Sequence, residues 1–330
     1  MNTISIFTLK VLRKLYTKAF GDYQLPALQR EENPDRVSEM IYNLLSSDKP
    51  CMIARFGSTE MLALVNYLGV NSKTHSIIDY IKGRQPAWWW NKNVMNQMQQ
   101  WSGFFPPTPE NMQRFGDLMI NDTKVIDLLG SWLLNENYIL PYLKLDCQKV
   151  WLIFLDPFWV QKPWTRALKS KKVLVIHPFA KLIERQYNER RDDLFVNKDI
   201  LPEFELKTIE AVQSLGGKSD IYRNWFEALG AMQNQMDSID YDICLLGCGA
   251  YGLPLAAHAK RMGKKAVHLG GSLQLLFGII GHRWENLDYA KAARRVCPSL
   301  SYPSLFNSYW VRPFEYRSEI TAKVENNCYW

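Results

Sequence analysis

The run Asp242-Ile243-Cys244-Leu245-Leu246-Gly247-Cys248-Gly249-Ala250-Tyr251-Gly252 decides how the rest of the chain is read. Its apolar block, Tyr241 to Leu246, has the length of a buried strand. The glycines that follow are spaced GxGxxG, and a helical pattern takes over from Leu253 to Met262. Glycines at such a turn let the backbone approach a ligand closely, and the unsatisfied N–H groups of the helix behind it attract a phosphate. The next unit repeats the design. Lys265 to Leu269 reads as a strand, Gly270-Gly271 as a second turn, and Ser272 as the cap of a helix that runs through Gln274 to Ile280. Consecutive parallel strands put both turns at one sheet edge, the edge where open α/β sheets bind ligands. Beyond them, Arg283 could pair with a phosphate and Trp284 could stack on a base or sugar. Simple packing of the pair at a helix end is the alternative.

Working outward, Cys51 to Ala54, Val150 to Leu155 and Val173 to Ile176 are further strand candidates. Helical patterns cover Asp35 to Leu45, Ser58 to Leu68, Glu203 to Leu215 and Trp225 to Met236. The Trp- and Met-rich stretch from Gln85 to Tyr142 reads as mostly helical, broken at Phe105-Pro106-Pro107. Apolar runs alternating with helical patterns predict an α/β fold, a Rossmann-like parallel sheet flanked by helices. The expected organisation is an N-terminal helical extension and connector (1–48), the main domain (49–297) and an aromatic-rich segment packed on it (298–330).

Composition narrows the classes. With 330 residues, 47% apolar and 22% charged, the chain can bury a large core, which excludes a mainly disordered protein. The net charge of +7, from 40 Lys+Arg against 33 Asp+Glu, is compatible with an anionic ligand or membrane surface and too weak to indicate nucleic acid. The cysteines at 51, 147, 244, 248, 297 and 328 form no CxxC pair and have no His at zinc-finger spacing, so free thiols in a reducing, cytoplasmic setting are expected. No stretch approaches the ~18 apolar residues of a membrane span. In residues 1–21, Ile6, Leu9, Val11, Leu12, Leu15, Tyr16 and Phe20 recur near helical spacing, with Lys10, Arg13, Lys14 and Lys18 mostly between them. Such a basic amphipathic helix either packs on the domain or docks on a partner or the inner face of a membrane.

The ligand class follows from what surrounds the turns. A dinucleotide site wants an acid at the end of the next strand, roughly 20 positions on. Here that strand ends His268-Leu269-Gly270-Gly271, without a carboxylate. The same gap weakens S-adenosylmethionine as the ligand. A purely structural turn stays open, beside a diphosphate-bearing ligand such as a nucleotide sugar. A third candidate edge element is Arg55-Phe56-Gly57-Ser58-Thr59-Glu60, where a strand gives way to a helix. Arg55 offers a fixed cationic fork and Gly57 a close backbone approach. Glu60 could hold a divalent cation or accept a proton from an attacking hydroxyl. A capping box is the bland reading, though Glu60 lies two positions after Ser58, which suits a box only if Gly57 is the cap. His177, at the end of the Val173 strand, could contact donor or acceptor or be a structural histidine. Tyr251 could stack on a base or sugar. Trp88-Trp89-Trp90 and Trp101 either line an acceptor groove or belong to the core.

At these residues the chain resembles the bacterial GT-D-type glycosyltransferases. Pro50 to Glu60 is similar to that family's strand followed by Arg-Phe-Gly-Asp-Gly-Glu. Val173 to Phe179 is similar to its central strand ending in Pro-Phe, and Asp242 to Trp284 to its closing strand-glycine-helix-strand-glycine unit. The resemblance spans roughly residues 48 to 285. It implies a UDP-sugar donor and a divalent metal, Mn2+ or Mg2+. It also implies transfer of a sugar to a glycan, glycolipid or glycoprotein acceptor in surface polysaccharide synthesis. In the family an Asp-x-Glu motif serves the metal and donor; the matching positions here are Ser58, Thr59 and Glu60, so the Glu is kept and the Asp is not. A donor set of Arg55, Gly57, Ser58, His177, Gly247, Gly249, Tyr251, Gly252, Gly270, Gly271, Gln274 and Arg283 is expected, with Glu60 as metal ligand or general base. Two rival readings stand: a Rossmann-type methyltransferase, and a glycan-binding or scaffold protein that kept the fold without the chemistry.

Overall fold

The computed structural model describes residues 2–214 and 219–316. Its centre is a sheet of seven strands: β1 (Cys51–Ala54), β2 (Leu128–Ser131), β3 (Gln148–Trp151), β4 (Lys172–His177), β5 (Glu205–Glu210), β6 (Ile243–Leu246) and β7 (Lys265–His268). All pairings are parallel, in the order β3-β2-β1-β7-β6-β4-β5. The fold is α/β and Rossmann-like.

Alternation along the strands divides the core. Ile53, Leu128, Val173, Val175, Ile243, Leu245 and Val267 face one layer, built on α2 (Pro34–Ser46) and α7 (Ala180–Leu194). Met52, Ala54, Leu129, Leu174, Ile176, Cys244, Leu246 and Ala266 face the other. That layer is built from α3 (Ser58–Val70), α5 (Lys92–Ser102), α6 (Pro109–Thr123), α8 (Trp225–Asp237) and α9 (Gly252–Arg261). A sheet covered on both faces needs apolar residues at successive positions, which is why the strands read as continuous runs. The N-terminal helix α1 (Thr3–Phe20) stands apart, packed through Leu9 on Tyr80 and Trp89 beside the short α4 (Ile77–Ile81). The 298–316 part of the C-terminal segment packs on the α2/α7 layer through Leu300, Tyr302 and Trp310; the rest lies outside the described residues.

Four expectations are corrected. The helix expected over Glu203 to Leu215 is instead the edge strand β5, paired over six residues from Lys172↔Glu205 to His177↔Glu210. Its Glu and Lys residues resemble a helix face, but on an edge strand they point to solvent. The strand expected over Val150 to Leu155 stops at Trp151 and tightens into a 3-10 turn at Leu152–Leu155. Within the expected helical middle, Leu128–Ser131 forms β2, paired with both β1 and β3. The helix expected from Ser272 to Ile280 is a single turn, α10 (Leu273–Leu276), and the Ser272 hydroxyl bonds the Leu269 carbonyl rather than capping it. Gly278 ends that turn with φ +66°, and a Cβ there would meet the Leu194 side chain at 2.4 Å.

Candidate functional site

Four adjacent strands, β1, β7, β6 and β4, end at one edge, and their continuations enclose a cleft of about 530 Å³. The register aligns Ile176 with Leu246 and Leu246 with His268. The residues that follow, His177, Gly247 and Leu269, therefore arrive side by side, and Gly270 comes one position later. Arg55, Gly57, Ser58 and Glu60 come from β1 and α3. The wall thus contains Arg55, Gly57, Ser58, Glu60, His177, Gly247, Gly249, Tyr251, Gly270, Gly271, Gln274 and Arg283. Of the expected set only Gly252 is left off the wall. It is needed for packing: a Cβ there would sit 2.2 Å from the His268 imidazole.

The turns are as close as side-chain-free backbone permits. A Cβ on Gly247 would lie 2.6 Å from the His177 ring and 2.7 Å from the Gly270 carbonyl oxygen. Gly249 and Gly270 have φ of +56° and +69°, left-handed values that keep both turns tight. Beside them the Arg55 side chain runs within 3.5 Å of where a Gly270 Cβ would be, and its guanidinium lies 5.4 Å from the Trp132 ring centroid. Arg55 Nε is buried with no hydrogen-bond partner among the described residues.

The cap of α3 is Gly57, not Ser58. Glu60 is then the third helical residue, and its carboxylate folds back over Gly57, with Oε2 1.8 Å from the position a Cβ would take. A side chain at position 57 would therefore displace the Glu60 carboxylate. Ser58 is exposed at the cleft mouth.

Two neutral imidazoles flank the turns. His177 Nδ1 accepts the Phe179 N–H at 3.0 Å, leaving the ring proton to Nε2, and burial pushes its pKa down to about 3. Burial, reinforced by the Arg55 charge, pushes His268 down to about 3 as well. A hydrogen bond with the Arg55 backbone pulls the other way without offsetting the burial. Asp156 is buried behind the wall. It accepts the Tyr302 hydroxyl, and burial raises it to about 6 against the opposing pull of Ser272, Tyr302 and Arg55.

Several aromatics have other uses than expected. Tyr251 is buried, stacked on Trp225 at 4.9 Å with 9° between planes, and its hydroxyl is 3.1 Å from Ser214 Oγ. One face of the ring is thus taken by the core. Trp284 is also buried, packed edge-on to Tyr289, and is not available for stacking. Trp88 and Trp89 belong to the cluster under α1, and Trp90 packs on the α3/α6 layer. Trp101 does reach the cleft. Sequence reasoning missed Trp132, whose Nε1 donates to the Phe56 carbonyl at 3.0 Å and whose ring faces Arg55. It follows β2, the strand not anticipated. His268 was in view only as the place where an acid was missing.

Comparison with protein-family models, curated proteins and solved structures returns no significant match. The likeness to GT-D enzymes therefore rests on the quoted residues alone. Chemically, the cleft combines a cationic fork, glycine turns rich in N–H groups, neutral imidazoles, an aromatic rim and one carboxylate. That set suits a phosphate-bearing ligand with an uncharged portion on the rim.

Proposed function

We propose that the chain is a glycosyltransferase that moves a sugar from a nucleotide-diphosphate sugar, UDP-linked by the family resemblance, to a glycan, glycolipid or glycoprotein hydroxyl. The observation that carries this reading is the convergence of Arg55, Glu60 and the two glycine turns on one cleft at the carboxyl edge. The diphosphate lies against Gly247 to Gly249 and Gly270-Gly271, with Arg55 balancing its charge. As the bond from the sugar's anomeric carbon to the diphosphate breaks, the acceptor oxygen bonds to that carbon and its proton passes to Glu60. The nucleotide diphosphate departs as the leaving group. His177, fixed as a neutral donor by its bond to Phe179, orients a donor or acceptor oxygen from Nε2.

A divalent ion, Mn2+ or Mg2+, fits this site only as a companion of the donor. Among the described residues, Glu60 is the one carboxylate on the cleft wall, and no three His, Cys, Asp or Glu side chains converge. Cations of this kind are commonly held by one or two carboxylates together with substrate phosphates. Glu60, with the Ser58 hydroxyl near by, would hold it, and the ion would supply charge to offset the leaving diphosphate.

A single carboxylate also favours a second reading, a protein that binds a glycan or nucleotide sugar without transferring it. Thermal-shift titration with UDP, UDP-sugars and S-adenosylmethionine, each with and without Mn2+, followed by donor-hydrolysis assay, tests both. Stabilisation by UDP-sugars with release of UDP supports the transferase. Stabilisation without release supports the binding protein, and a response to S-adenosylmethionine alone defeats both.

A further inference from the structure

We propose that α1 lies on an anionic lipid bilayer and holds the cleft beside it. The helix rests on the body through its inner side, where Leu9 packs on Tyr80 and Trp89 and the Arg13 guanidinium stands 5.0 Å from the Tyr80 ring centroid. Its outer side carries Ile4, Phe7, Val11 and Leu15, spaced three, four and four residues apart and so aligned as one stripe. These side chains are 78%, 68%, 39% and 59% exposed. The neighbouring α4 adds Ile77 and Ile78, 56% and 64% exposed. Apolar residues on a protein surface are common singly, but an aligned exposed row of this size marks a contact.

Charge selects the occupant. Thr3–Phe20 contains Lys10, Arg13, Lys14 and Lys18 and no Asp or Glu. Lys10, Lys14 and Lys18 are exposed and fall on or beside the apolar stripe. A protein groove that took the stripe would have to bury those ammonium groups. At a bilayer, by contrast, their long stems let them reach the phosphate headgroups while Phe7 and Leu15 enter the acyl boundary. The helix does not span: no helix among the described residues is long and apolar enough to cross a membrane.

The chain leaving α1 ties this surface to the cleft. The Asn137 side-chain amide donates to the Pro26 carbonyl at 2.9 Å, and Arg30 donates to the Ser131 carbonyl at 2.7 Å, one residue before the cleft's Trp132. A docked α1 therefore keeps the Trp132 rim near the headgroups. Docking itself does not depend on what the cleft binds.

The test is flotation of the full chain with phosphatidylcholine vesicles, either pure or containing about 30% phosphatidylglycerol. Binding to the anionic vesicles that is at least ~tenfold stronger than to the neutral ones, and weaker as salt rises, is expected. The double substitution Phe7→Ser with Leu15→Ser, at exposed positions that leave the fold intact by circular dichroism, should cut that binding at least ~tenfold. Lys14→Glu with Lys18→Glu should abolish the preference for anionic lipid. Failure of the wild-type chain to float with either vesicle overturns the proposal, as does undiminished binding of the double-serine variant. Light scattering that shows a dimer dissolved by the same double-serine variant overturns it too, because a second copy would then cover the stripe.

Discussion

The two edges of the sheet use polar residues in opposite ways. At the amino edge, Asp127 accepts the Met52 N–H at 2.7 Å and pairs with Lys144 and Lys260, each at 2.6 Å. Asp242 likewise accepts the Lys172 N–H at 2.8 Å, joining the starts of β6 and β4. These lysine pairs and the Met52 bond hold Asp127 below its ordinary carboxylate range despite its burial. At the carboxyl edge, Arg55 Nε is buried without a hydrogen-bond partner among the described residues. Buried polar groups left without partners cost about 1–3 kcal/mol each. The charges of one edge join strands; the other keeps the Arg55 guanidinium beside a cleft. Such a division is expected of a fold that carries its site as a local feature on a scaffold whose strand starts are tied together.

Substitutions should separate the edges. The largest effect is expected from Glu60→Gln, which should lower sugar transfer by about 10²–10⁴-fold, the span of a lost general base, while leaving the unfolding midpoint nearly unchanged. Asp127→Ala should do the reverse. It leaves two lysines and the Met52 N–H without their acceptor and should cost about 2–4 kcal/mol in urea unfolding, with donor affinity retained. If Asp127→Ala weakened donor binding more than folding, the division between edges would fail.

The histidines give a smaller, pH-dependent contrast. Both are held neutral in the fold with pKa values of about 3, below the ordinary 6.5 that an unfolded chain shows. Between those values the unfolded state binds more protons, so stability should fall as pH drops from about 6.5 toward 3. Thermal unfolding of His177→Gln should show a shallower decline over that window than the wild type. The smallest effect is expected from Trp132→Leu. It removes the aromatic face beside Arg55 and should weaken donor binding about 3- to 10-fold by titration calorimetry without lowering stability.

Legibility in the sequence also divides along these lines. The strands that form the cleft, β1, β4, β6 and β7, are buried on both faces, so their apolar runs stand out, and the glycines after β1, β6 and β7 mark the site. Peripheral strands were harder. β5 has an exposed, charged pattern that imitates a helix, and β2 lies inside a helical neighbourhood where only the run Leu128-Leu129-Gly130 distinguishes it. Trp132 was lost with β2. Positions of backbone and charge, such as Gly247, Gly270, Arg55 and Glu60, could be brought to one edge by topology alone. Whether a large ring faces ligand or core could not, because that depends on a partner distant in sequence. Tyr251 and Trp225 are 26 positions apart, yet they stack at 4.9 Å.

The central proposal is that Arg55 and the glycine turns of the carboxyl edge bind a diphosphate, and titration calorimetry of the full chain with UDP and a UDP-sugar tests it most directly. Saturable binding at one site, lost or weakened at least ~tenfold in Arg55→Ala while the variant unfolds as the wild type does, is the predicted result. No heat from either nucleotide, or equal affinity in Arg55→Ala, would contradict it.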